Sequence, residues 1–98
     1  MGIAAVALVR LPPAVQHTLE RVTQGGPFRY SKDGAVFMNR ERRLPRQPRG
    51  YYREYTIETP GAHDRGARRL VCGGASLRAP DACYYTADHY TSFRLVLR

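Results

Sequence analysis

A chain of 98 residues has room for one modest hydrophobic core and no second, so a single domain over residues 1–98 is expected. Sixteen Lys plus Arg against eight Asp plus Glu give a net charge of +8, nearly all of the positive charge being arginine, which prefers planar, bidentate partners such as phosphate. A polyanion is the natural partner, although a basic surface serving only solubility has the same composition. No apolar run approaches the roughly 20 residues of a spanning helix, so a soluble chain without a membrane partner is expected.

Gly2 to Val9 is apolar and reads as a first strand behind an initiator methionine. No basic segment precedes it and Arg10-Leu11-Pro12-Pro13 offers no small-residue cleavage site, so any export signal is expected to be absent from this chain. From Ala14 to Gln24, Val15, Leu19 and Val22 recur at helical spacing; Pro13 suits a first-turn position and Gly25-Gly26 ends the helix. This is the one convincing helix, and its apolar stripe needs a sheet to lie on. A loop from Pro27 turns at Lys32-Asp33-Gly34 into a short strand, Ala35-Val36-Phe37. Leu44 to Gly50 contains two prolines and reads as another loop.

Tyr51 to Ile57 is rich in strand formers, Thr59-Pro60-Gly61 turns the chain, and Ala67 to Cys72 forms an antiparallel partner. Alternation puts Leu70 and Cys72 on one face and Arg69 on the other, beside Glu54 on the accessible side. A loop through Gly73 to Ala82 leads to Cys83-Tyr84-Tyr85-Thr86, a turn at Ala87-Asp88 and a last strand from His89 to Leu97. The expected fold is α+β, one N-terminal helix packed on an antiparallel sheet of about five strands. Cys72 and Cys83 have no metal spacing; a bridge between them would close a loop of about ten residues, but the apolar stretch Leu70-Val71-Cys72 favours a buried thiol. The cysteines do not fix a compartment.

Chemistry concentrates in Glu54, Arg65, Arg69 and His89. A carboxylate, two guanidiniums and an imidazole can take a proton from one oxygen, steady a pentavalent phosphorus and give a proton to another oxygen. Taken singly, each has a plainer explanation: Glu54 as an exposed strand residue in a cross-strand ion pair, the arginines as a solvated face, His89 as a structural histidine like His17 or His63. Their co-occurrence with ordered neighbours decides otherwise. Leu11-Pro12-Pro13, Gly26-Pro27-Phe28, Asp33-Gly34 through Val36-Phe37 and Asn39-Arg40-Glu41, Tyr51-Tyr52 with Glu54-Tyr55-Thr56, Pro60-Gly61-Ala62, Arg65-Gly66 with Arg68-Arg69, and Tyr84-Tyr85-Thr86 with Asp88-His89-Tyr90 and Ser92-Phe93 run in order over nearly the whole chain. This set resembles the small guanyl-specific bacterial ribonucleases related to barnase.

The resemblance implies a metal-independent endoribonuclease without cofactor, cutting single-stranded RNA 3′ of guanosine through a 2′,3′-cyclic phosphate that is then hydrolysed. It makes Glu54 the general base, His89 the general acid, Arg65 and Arg69 the clamp on the scissile phosphate, and Tyr90 a further phosphate contact. A histidine titrates nearest neutrality and a carboxylate flanked by arginines stays ionised, which suits both assignments. Guanine would be read by Phe37 to Glu41. The Glu41 carboxylate accepts from the two adjacent donors of the guanine edge, the backbone N–H groups of Met38, Asn39 and Arg40 meet its acceptor side, and Phe37 covers the ring. The plainer alternative is a turn in which Asn39 is left-handed for steric reasons and Glu41 pairs with Arg42 or Arg43.

The chain departs from its relatives in three places. Met38 replaces a polar residue, which costs little if only its backbone meets the base. The segment Gly74 to Ala82 is longer than usual. The bridge joining the two chain ends has no counterpart, because Ala7 stands at its first position; such a bridge is worth about 4 kcal/mol in the loop-entropy model, so this protein is expected to be less stable or better packed elsewhere. The family further implies a monomer, a small acidic barstar-like inhibitor as partner, and either a secreted enzyme or the toxic domain of a larger exported protein. The competing function is a non-catalytic RNA- or partner-binding module of the same fold.

Overall fold

The computed structural model describes residues 2–98. In chain order its elements are β1 (Ala5–Ala7), a 3-10 turn (Leu8–Arg10), α1 (Pro13–Gln24), β2 (Ala35–Val36), β3 (Tyr52–Thr56), β4 (Arg69–Gly73), β5 (Ala82–Thr86) and β6 (Arg94–Leu97). The helix begins with Pro13 in its first turn, where the missing N–H is no loss. It ends at Gly25, whose φ of 80° lets the Gly26 N–H return to the Arg21 carbonyl at 2.9 Å. The predicted stripe is the buried one: Val15, Leu19 and Val22 are 0%, 6% and 1% exposed. They pack on Tyr55, Leu70, Cys72, Cys83, Tyr85 and Val96, which are the helix-side residues of the sheet.

The α+β expectation holds, with two corrections to the sheet. It has six strands in the order β1-β6-β5-β4-β3-β2, and β1 runs parallel to β6, with Ala5 opposite Leu95. Apolar alternation specifies a face and carries no strand direction, so the chain's first strand lying alongside its last was not visible in the sequence. The last strand is also shorter than expected. Residues 87–93 form turns, and His89 and Tyr90 have φ of 53° and 72°, which no strand accommodates.

The expected buried thiol at Cys72 is likewise overturned. Cys72 and Cys83 form a disulfide, their Cα atoms 4.0 Å apart at directly opposed positions of β4 and β5. Burial itself was rightly expected, since the two are 3% and 1% exposed. What the sequence lacked was the register: with Arg69 opposite Thr86 and Gly73 opposite Ala82, both cysteines point to the same helix-side face.

The other face of the sheet carries a smaller cluster, Leu44, Tyr52, Val71, Tyr84 and Phe93, joined by Phe37 and Tyr90. Glu54, Thr56, Arg69 and Thr86 share this face by alternation, Thr56 standing opposite Arg69 and Arg69 opposite Thr86.

Candidate active site

Glu54 lies in the middle of β3, where the ladder fixes its direction. One carboxylate oxygen, Oε1, receives the Tyr90 hydroxyl at 2.8 Å and Arg65 Nη2 at 3.3 Å. The Glu54 and Arg65 side chains remain 16% and 24% exposed, so this ion pair is neither sealed from water nor fully screened. Arg65 is oriented by a second bond, from Nε to the Thr56 hydroxyl at 3.0 Å, and its guanidinium lies 5.7 Å from the Tyr30 ring centroid. Its loop turns at Gly66, which has φ of 67°; a Cβ there would lie 2.7 Å from Thr59 Oγ1, so only glycine fits.

Arg69 is 3% exposed, an unusual burial for an arginine. Its Nη1 donates to the carbonyls of Gly66 at 3.0 Å and Arg68 at 2.8 Å, which pins the guanidinium, while its Nε is buried without a partner among the described residues. With an unpartnered Nε and no carboxylate paired to it among the described residues, this buried cation is able to receive an anion.

His89 is exposed and sits in a turn whose backbone N–H reaches the Ala67 carbonyl at 3.0 Å, tying it to the arginine-bearing segment. Its ring meets that of Tyr90 with centroids 4.8 Å apart. Tyr90 therefore touches both, its hydroxyl on Glu54 and its ring against His89, while Arg65 pairs with Glu54 and Arg69 lies on the same sheet face. Burial, and then the bond given to the Glu54 carboxylate, push the Tyr90 hydroxyl up to about 12 against the opposing charge of Arg69, so at neutral pH it is a donor.

Beside His89 and Tyr90 opens a cleft of about 530 Å³, lined by these two and by Phe37, Met38, Asn39, Arg40, Glu41, Arg43, Thr91 and Phe93. All five residues expected to read a base are in its wall. Phe37 is fixed by stacking 5.0 Å from Tyr90 and edge-on 5.9 Å from Phe93. Asn39 does have the left-handed backbone of the plainer alternative, with φ of 54°, and its side chain braces the loop by exchanging bonds with the backbone of Leu44 at 3.0 and 3.1 Å. Glu41, in contrast, forms no ion pair with Arg42 or Arg43 among the described residues, so its carboxylate is left for another donor. A second cavity of about 560 Å³ lies between α1 and the 27–33 loop and contains none of Glu54, Arg65, Arg69 and His89.

Sequence reasoning missed the supports. Asp33 accepts from the Thr56 N–H at 2.7 Å and the Tyr30 N–H at 3.1 Å, anchoring the strand end that orients Arg65. Thr86, Asp88 and Ser92 form a hydrogen-bonded cluster beneath His89 and Tyr90. An aspartate before glycine reads as a turn signal and a threonine as a strand former, so nothing in residue type marked these as second partners of the site. Among the described residues no group of three or more His, Cys, Asp or Glu side chains could hold a metal ion.

Comparison with known proteins places this geometry. Residues 2–97 match the ribonuclease family. The chain is 50% identical over 91 residues to guanyl-specific ribonuclease Sa of Kitasatospora aureofaciens, covering 93% of this chain and 91% of that one. It is 48% identical over 96 residues to guanyl-specific ribonuclease St of Saccharopolyspora erythraea, covering 98% and 90% respectively. Among solved structures, ribonuclease Sa2 in complex with mononucleotides superimposes with a TM-score of 0.91 at 42% identity, over 100% of this chain and 97% of that one. With half its sequence shared and the fold matched from end to end, the chain belongs to the family of small guanyl-specific bacterial ribonucleases.

Proposed function

We propose that this ribonuclease cleaves single-stranded RNA on the 3′ side of guanosine, with Glu54 as general base, His89 as general acid, and Arg65, Arg69 and Tyr90 holding the scissile phosphate. In the first step Glu54 takes the proton of the guanosine 2′-hydroxyl, the 2′-oxygen bonds to phosphorus, and the bond to the 5′-oxygen of the next nucleotide breaks as His89 protonates it. In the second, His89 takes a proton from water, the water oxygen opens the 2′,3′-cyclic phosphate, and the 2′-oxygen recovers a proton from Glu54. The nucleophile is supplied by the substrate, and the charge that builds on the phosphoryl oxygens meets the guanidiniums. The related ribonuclease Sa2 has been solved with guanosine-2′-cyclophosphate and with 3′-GMP, which supports both the intermediate and the product.

The observation that carries the assignment is the Glu54 carboxylate held at 2.8 Å by Tyr90 and at 3.3 Å by Arg65, with the His89 ring 4.8 Å from that of Tyr90. The test is digestion of a defined oligoribonucleotide in chelator. Products ending in guanosine 2′,3′-cyclic phosphate are expected, with a bell-shaped dependence of kcat/KM on pH because base and acid need opposite protonation states. His89→Gln should lower this cleavage by about 100–10,000-fold while leaving guanosine binding in place; unchanged cleavage would remove His89 from the role.

The reading extends to setting. A disulfide between Cys72 and Cys83 suits an oxidising compartment, which supports an exported protein, acting as a monomer either as a secreted enzyme or as the toxic domain of a larger one. A basic cleft suits a small acidic inhibitor of the barstar kind. Tight, salt-sensitive inhibition of cleavage by such a protein is the expected result, and no inhibition across a panel of them would remove this partner.

A further inference from the structure

His89 and Tyr90 occupy a backbone conformation that their side chains disfavour. With φ of 53° and 72°, and the Thr91 N–H closing onto the Asp88 carbonyl at 3.3 Å, they fill the two central positions of a tight turn with the left-handed φ signs of type I′. Such positions normally take Asn-Gly, and each ordinary residue forced there costs about 1–2 kcal/mol. A turn so strained persists only when its surroundings over-determine it.

The Asp88 carboxylate supplies that constraint. Its Oδ1 accepts from the Thr86 hydroxyl at 2.8 Å and from the Ser92 N–H at 2.9 Å, and its Oδ2 from the Ser92 hydroxyl at 2.7 Å. One side chain thus joins the last residue of β5 to the residue beyond the turn. Thr86, 0% exposed, passes the constraint inward, since its hydroxyl oxygen accepts the Tyr90 N–H at 3.1 Å. We propose that Asp88 is a positioning residue for the reaction: its carboxylate clamps the Thr86–Ser92 turn and so holds the His89 imidazole in its working place. The inference rests on His89 being the acid, and on nothing else in the proposed reaction. Asp88 touches neither substrate nor reacting atom; it acts through the turn.

Asp88→Ala should lower kcat by roughly 10–100-fold, the size of effect that a misplacement of about 1 Å produces, with KM changed less than about threefold. Asp88→Asn keeps one carbonyl oxygen for Thr86 and Ser92 and should recover most of the rate, with Ser92→Ala between the two. The decisive measurement is a double-mutant cycle with His89→Gln. A clamp that works through His89 makes Asp88→Ala nearly silent once that imidazole is gone, whereas an independent effect multiplies. A folded Asp88→Ala protein within threefold of the parent rate, or multiplicative losses, overturns the clamp. Should Asp88→Ala not fold, Ser92→Ala decides, and a parent kcat in that variant overturns the clamp equally. His89→Gln that leaves cleavage intact sinks the acid assignment instead.

Discussion

Tyr90 is the residue on which the two halves of the site meet, its hydroxyl on Glu54 and its ring in contact with those of His89 and Phe37. A tyrosine raised to about 12, as Tyr90 and Tyr52 both are, favours the folded state fully below the unfolded value of 10.0, and that contribution is lost as pH rises toward 12. The unfolding midpoint is therefore expected to fall between pH 10 and 12, and to fall less steeply in Tyr90→Phe, as thermal denaturation across that range would show. Asp88 works in the opposite sense. Bonds from Ser92 and then Thr86 hold its carboxyl down to about 2 against an ordinary 3.8, so its contribution is present above about pH 4 and disappears as pH falls through 2. Being exposed, it adds modestly, and Asp88→Asn should flatten the acid limb of stability. At the base-reading end, Glu41→Gln exchanges an acceptor of two donors for an acceptor of one. Cleavage after guanosine should drop about 10–100-fold, the worth of a hydrogen bond to a charged group, and the preference over adenosine should narrow in oligonucleotide digests.

Between elements, the bridge from β4 to β5 adds a covalent tie to the packing of helix on sheet. Closing a loop of this length is worth just under about 3 kcal/mol in the chain-entropy model, a large share of what a bridge between the chain ends would give. Complete reduction should lower the unfolding temperature by roughly 10–20 °C for a domain of this size, and thiol titration of the untreated, denatured protein should find no free cysteine. The helix was legible because three apolar residues at helical spacing, a proline and a glycine pair all agree on its bounds. The face of Arg69 was legible because alternation in a strand has a period of two. The bridge was not, since it depends on which residue of β5 faces which of β4, a register that composition does not encode. Nor was the His89–Tyr90 turn, because a histidine and a tyrosine are poor witnesses for a left-handed backbone. Local sequence preference fails there, at the point where the proposed reaction needs an acid held out from the sheet.

Over the whole molecule, charge is distributed to one end of the task. Arg40, Arg42, Arg43, Arg46 and Arg49 all lie exposed in the loop between β2 and β3, which also forms the wall of the base cleft, and none is in an ion pair among the described residues. Two of them, Arg40 and Arg43, line that cleft directly. A substrate longer than the guanosine and its phosphate would meet this rim with its other phosphates, releasing counterions as it does so. For a single strand each neutralised phosphate contributes a slope of about −0.7 in log affinity against log salt, so three contacts would make the slope about −2. The expected outcome is a kcat/KM for a long RNA that falls steeply with salt, while that for a guanosine-containing dinucleotide, with one phosphate held by Arg65 and Arg69, falls little. Replacing Arg42, Arg46 and Arg49 together by Ser should flatten the first dependence toward the second and leave dinucleotide cleavage unchanged. Equal salt slopes for the two substrates in the parent protein would show that the rim does not touch RNA, and would reduce the charge of +8 to a matter of solubility.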